Sequence, residues 1–205
     1  MPEPATPTLD QLFTLITELM LPFHEIQRDT DLPLASPREE NDVEHSWSVT
    51  LMACALAPAV DPALDVGKIA QFAIVHDLVE VFAGDTSIFA HQSEHDSKAK
   101  RERQALDTIH QRFAAFPWLA TTITEYEQKS TPEAKFVSAI DKLLALQIDY
   151  LDKGSYLRRK RITESKYFKS LERPTQKGHL HPAVGDYYDQ VLELIKTDPD
   201  FFAPA

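Results

Sequence analysis

Apolar residues recur at three- and four-residue intervals along most of this chain, and no stretch shows the apolar–polar alternation of a half-buried strand. Between residues 9 and 22, Leu9, Leu12, Phe13, Leu15, Ile16, Leu19 and Met20 share helical spacing, which predicts a first core helix closed by Pro22. Residues 28–41 are charged, contain Pro33 and Pro37, and predict a loop. It ends at Asn41, whose side chain can cap a helix that has Glu44 three residues on. That helix carries His45 in its first turns, continues through Val49, Met52, Ala53 and Leu56, and should stop at Pro58.

From 66 to about 83, the positions of Ile69, Phe72, Ala73, Val75, Val79 and Phe82 predict one continuous helix with His76 and Asp77 inside it and a left-handed cap at Gly84. Residues 93–116 form a charged amphipathic stretch with Ala105, Leu106, Ile109 and Phe113 on its inner face, and Pro117 opens a shorter helix through Trp118, Leu119, Ile123 and Tyr126. Thr131 and Pro132 start a helix that buries Phe136, Val137, Ile140, Leu143, Leu144, Ile148 and Leu151, with Asp141 beside that stripe. Less regular helical segments follow near 163–172 and 182–196. The expected class is all-α, a helical bundle. Both tryptophans, Trp47 and Trp118, are expected in the core.

Composition narrows the chemistry. Five Gly against fourteen Pro in 205 residues is poor in the turns that sheets need, and the length suits one domain, taken as 1–205. The Met-Pro-Glu-Pro start has no basic or apolar signal character, and no run reaches a membrane span, so a cytoplasmic protein without membrane contact is expected. A net charge of -11 argues against nucleic-acid binding. Cys54 is the lone cysteine, so any metal must be held by His, Asp and Glu, a donor set that suits Mn, Co, Fe or Mg and admits Zn.

His76 and Asp77 follow the apolar run 72–75, so at least one polar side chain points into a hydrophobic environment and needs a partner there. A divalent cation would satisfy both groups. Taken alone, such a pair is more often a hydrogen-bonded core histidine beside a solvated aspartate. The surrounding order changes that weighing, because Glu44-His45-Ser46 precedes it, Glu80 and Gly84-Asp85 follow it, and Asp141-Lys142-Leu143 closes the set.

This order of His, then His-Asp, then Asp resembles the HD-domain superfamily of metal-dependent phosphohydrolases, and within it the small 5'-nucleotidase-like branch. The matching stretches are 38–47, 76–86 and 133–143, and the resemblance runs from about 10 to about 155, leaving a C-terminal helical extension of about 156–200. It implies an HD-domain helical bundle with one divalent metal ion held by His45, His76, Asp77 and Asp141. It implies Glu80 and Asp85 as the catalytic carboxylates and Arg28 as the phosphate-binding cation. In some similar nucleotidases a tryptophan that packs against the sugar follows that arginine. Here the residue is Asp29, which puts a deoxyribose preference in doubt.

The activity so implied is hydrolysis of the phosphate monoester of (deoxy)nucleoside 5'-monophosphates. The alternatives are another phosphoester, such as a nucleoside di- or triphosphate, a cyclic nucleotide or a metabolite phosphate, and a non-catalytic metal- or nucleotide-sensing protein. The expected partners are a small-molecule phosphate ester and, by analogy with the family, a second copy of the chain in a homodimer. Lys142 and Arg38 are further phosphate candidates, each equally an ordinary ion-pair partner. His91 and His95 read as loop residues and are not assigned to a second metal, Arg158 to Arg161 read as a solvated face, and His179 and His181 as an exposed turn.

Overall fold

The computed structural model describes residues 6–202; the Met-Pro-Glu-Pro start lies outside them. Its centre is α8 (Pro132–Leu151), opened by Thr131, whose hydroxyl accepts from the Ala134 N–H. Ala134, Phe136, Val137, Ala139, Ile140 and Leu143 are fully buried along it. Against α8 pack α3 (Asp42–Val60) and α4 (Val66–Val75) on one side and α11 (Glu172–Gly178) and α12 (Pro182–Thr197) on the other. A second apolar cluster joins Leu19, Val75 and Val79 to Ala105 and Ile109 of α6 (Gln92–Arg112), Phe113, and Leu119 and Ile123 of α7 (Pro117–Gln128).

The N-terminal segment is α1 (Leu9–Leu15), a π-helical turn (Ile16–Met20) and the short α2 (Leu21–Phe23). It is not the core helix that its spacing predicted. Leu19 and Phe23 are buried, while Leu9, Phe13 and Met20 are each more than half exposed, so only one edge of the stripe meets the core.

The predicted loop at 28–41 is instead an antiparallel hairpin of β1 (Gln27–Leu32) and β2 (Arg38–Asn41), which makes the class mostly helical rather than purely so. Its charged residues hid it from a search for apolar alternation: Thr30, Asp31 and Glu40 are buried and face polar partners, not an apolar core. Pairing passes from Gln27–Asn41 to Asp31–Glu39 with three residues of β1 opposite only Glu40 of β2. Such a bulge redirects side chains.

The Asn41–Glu44 capping box is present at the start of α3. Pro58 does not end that helix, which continues through it to Val60. The predicted continuous helix at 66–83 is broken: α4 ends at Val75, His76 to Val79 form a turn, and α5 spans Glu80–Ala83. The break has a local cause. His76 Nδ1 donates to Ala73 O at 2.8 Å, using the carbonyl that the Asp77 N–H would take in a continuing helix, and the following bonds shorten to the i to i−3 type. Gly84, at φ 73°, closes α5 through its N–H to Glu80 O at 2.8 Å.

Several burial expectations are corrected. Trp47 is 66% exposed and Trp118 48%, Leu151 is exposed, and His181 is half-buried, edge-on to Phe136. His91 and His95 lie not in a loop but at the N-cap and first turn of α6. The C-terminal region adds α9 (Ser155–Arg159) and α10 (Glu164–Ser170) before α11 and α12. Arg159 of α9 is not merely solvated, since it bridges Asp31 of the hairpin at 2.6 Å.

Candidate metal centre

Three elements deliver the donors. The first turn of α3, ordered by the capping box, carries His45; the α4–α5 break carries His76; the middle of α8 carries Asp141. One ligand atom from each lies within 4.8 Å of the others, and all three residues are buried. His45 Nε2 is 3.0 Å from Asp141 Oδ1, and the two imidazole rings are 5.4 Å apart. The Nδ1 atoms of both histidines are engaged elsewhere, His76 with Ala73 O and His45 with Glu40 Oε2 at 3.1 Å.

Asp77, the fourth predicted ligand, is turned toward a second acidic group, with Asp42 and Glu80. Its Oδ2 lies 3.0 Å from His76 Nε2 and 3.0 Å from Arg28 Nη1. The break in the helix thus lets adjacent residues serve two neighbouring clusters. The second cluster has cations supplied by the chain itself: Arg28 Nη1 is 3.1 Å from Asp42 Oδ1, and Lys98 Nζ is 3.4 Å from Glu80 Oε1. Arg28 reaches this place from the bulge of β1 and also lies 3.5 Å from Glu40.

Asp85, predicted as the second catalytic carboxylate, is exposed just beyond Gly84 and belongs to neither group. Lys142 Nζ sits 2.6 Å from Asp141 Oδ2, whereas Arg38 is paired with Glu44 at the surface. Asp29 accepts from Tyr156 Oη at 2.8 Å and so ties the hairpin to α9.

The electrostatics describe a pocket short of positive charge. Burial pushes the Asp77 and Asp141 carboxyls up, but His76 and Arg28 around the first, and Lys142 and His45 around the second, outweigh it and hold both well below the usual range. Burial alone would depress the His76 imidazole, yet Asp77 and Asp141 raise it. Burial and the Asp77 charge outweigh Arg28 at Asp42 and push it up to about 6, and burial with Asp77 and Asp85 pushes Glu80 well above the ordinary glutamate value. His76 Nε2 is buried with Asp77 Oδ2 3.0 Å away, and one oxygen each of Asp42 and Glu80 is buried without a hydrogen-bond partner. Two imidazoles that meet the Asp141 carboxylate in a buried place, with the Asp77 carboxylate against one of them, are a donor set that fits a divalent ion.

Sequence reasoning missed Glu40, Asp42 and Lys98. The first two flank the recognised cap Asn41, so their proximity to His45 was legible, but only the bulged hairpin turns Arg28 toward them.

The sequence signature of the HD domain family matches residues 23–183, which hold every one of these side chains. The chain belongs to the HD-domain family. Among its relatives, a 5'-deoxynucleotidase, hdd1, of Schizosaccharomyces pombe (strain 972 / ATCC 24843) is 31% identical over 143 residues, 65% of this chain and 66% of the relative. The alignment with this HD-domain protein thus leaves about a third of that relative uncovered. A solved structure titled as a predicted metal-dependent phosphohydrolase, from Magnetospirillum magnetotacticum MS-1, superposes with a TM-score of 0.77. It is 26% identical, and the match covers 98% of this HD-domain chain and 100% of the other.

Proposed function

We propose that this HD-domain protein is a metal-dependent phosphohydrolase that cleaves the phosphate monoester of (deoxy)nucleoside 5'-monophosphates. The observation that carries the reading is the buried meeting of His45, His76 and Asp141, with Asp77 Oδ2 3.0 Å from His76 Nε2 beside them. In this reading those three residues and Asp77 hold one divalent ion. When bound, such an ion polarises a phosphoryl oxygen and lowers the pKa of water. The family, and the names carried by the yeast and Magnetospirillum relatives, support the reaction class and the nucleotide substrate.

The chain's own residues supply the rest. Arg28, fixed between Asp42 and Asp77, offers a guanidinium to the phosphate oxygens from beside the donor set. Glu80, buried and with its carboxyl pushed above the ordinary glutamate value by burial and the Asp77 charge, is the residue assigned to give a proton to the departing 5' oxygen as water attacks phosphorus and the phosphorus–oxygen bond breaks. Asp85, at the rim, orients the incoming water. With Asp29 bonded to Tyr156, it is not available as a wall for the sugar.

Metal-stripped protein should be reloaded separately with Mn, Co, Fe, Mg and Zn and assayed for phosphate release from ribo- and deoxynucleoside 5'-monophosphates, di- and triphosphates, cyclic nucleotides and sugar phosphates. The expected result is ion-dependent release from monophosphates, abolished in Asp77→Ala and reduced roughly 10²- to 10⁴-fold in Glu80→Gln with KM little changed. Release from a different phosphoester alone would overturn the substrate, and no release with any bound ion would overturn the enzyme.

The proposal includes a homodimer. Leu9, Leu12, Phe13, Ile16 and Met20 lie along one exposed face of the N-terminal segment, an uncharged strip that a second copy of itself would cover.

A further inference from the structure

The two histidines of the metal centre solve one problem in different ways. For an imidazole to offer Nε2 to an ion, its proton must sit on Nδ1 and its ring must be held. His76 achieves this within its own helix turn, through Ala73 O. His45 has no such carbonyl among its hydrogen-bond partners; its Nδ1 lies 3.1 Å from Oε2 of Glu40, five residues earlier and in a different element. We propose that Glu40 is a positioning residue for the metal centre, fixing His45 in the Nδ1–H form with its Nε2 directed at the shared donor site.

Glu40 is 1% exposed and lies in β2 between Glu39 and Asn41, both of which have partners on β1, and Asn41 is also the cap that starts α3. A carboxylate in such a place costs free energy unless something uses it. Its Oε2 serves His45 Nδ1 and also lies 3.5 Å from Arg28 Nε, so one oxygen touches both the metal ligand and the phosphate arm. Its charge also makes the imidazole a better donor than a carbonyl partner would, since an anionic acceptor strengthens the Nδ1–H bond. The burial pattern of β2 agrees, because Arg38 is exposed, Glu39 half-buried and Glu40 buried.

The inference rests on His45 being a metal ligand, so its test reads metal binding rather than turnover. Mn affinity of the wild type, Glu40→Gln and Glu40→Ala should be measured by chelator competition, together with nitrogen-15 resonances of the His45 imidazole and the far-ultraviolet dichroism of each protein. Glu40→Ala should bind Mn roughly 10- to 100-fold more weakly and lose the Nδ1–H signature, with the helical spectrum unchanged. Glu40→Gln keeps an acceptor oxygen without the charge and should fall between. A folded Glu40→Ala that binds Mn as the wild type does, or keeps the same imidazole resonances, overturns the inference while leaving the metal centre standing. If Glu40→Ala does not fold, unchanged affinity and resonances in Glu40→Gln overturn it instead. A wild type that binds none of Mn, Co, Fe, Mg and Zn would sink the metal centre and this inference together.

Discussion

Away from the metal centre, one carboxyl carries its own consequence. Asp149, on α8, accepts from Tyr167 Oη at 2.9 Å and Thr30 Oγ1 at 3.2 Å. Burial pushes it up to about 7 against those two bonds, with the charges of Asp152 and Asp29 adding to the rise. A carboxyl whose folded value stands above its unfolded value of about 4 binds its proton more tightly in the native state. Its contribution is therefore complete below about pH 4 and is lost as pH rises through about 7. Asp149→Asn, which stays neutral, should flatten that loss and melt later than the wild type above pH 7, by on the order of 1 kcal/mol. Melting curves taken between pH 5 and 9 test this; parallel curves for the two proteins would refute it.

At the scale of elements, the junction of β2 and α3 is where local sequence and function meet. The Asn41 side chain accepts from the Glu44 N–H at 3.1 Å and the Glu44 side chain accepts from the Asn41 N–H at 3.3 Å. Asn41→Ala should lower stability by about 1 kcal/mol. Because Glu40 and His45 lie on either side of that cap, it should also weaken Mn binding, as calorimetric titration would register; an unchanged affinity would detach the cap from the site. This cap was legible from spacing alone, as was the start of α8, because each depends on a few neighbouring residues; His45, His76 and Asp141 were singled out only through the family resemblance, since three separated stretches had to be taken together. The hairpin was not. Its strands bury Thr30, Asp31 and Glu40 against polar groups distant in sequence, so no hydrophobic period announces them. The break after Val75 was equally hidden, since apolar spacing continues through Val79 while a histidine side chain takes over a backbone carbonyl. Asp85 shows the opposite case: its place in the sequence pattern is clear, but only the fold shows it exposed, beyond both donor groups.

For the whole molecule, the apolar spacing of the first helix was correct and its destination was not. A stripe with Phe13 and Met20 outward predicts association, and Phe13→Asp with Met20→Lys should shift the protein toward monomer in sedimentation at micromolar concentration, with the fold intact. If the wild type is already monomeric, the homodimer is refuted. Asp141 belongs to the other extreme, midway along the helix that carries the most buried side chains in the chain. Surface loops open and close without disturbing a protein's centre, but a residue in such a helix becomes mobile only when the whole domain opens. Asp141 therefore has no softened state of its own: on heating, its contribution to holding an ion should persist nearly unaltered up to the melting transition and vanish together with it.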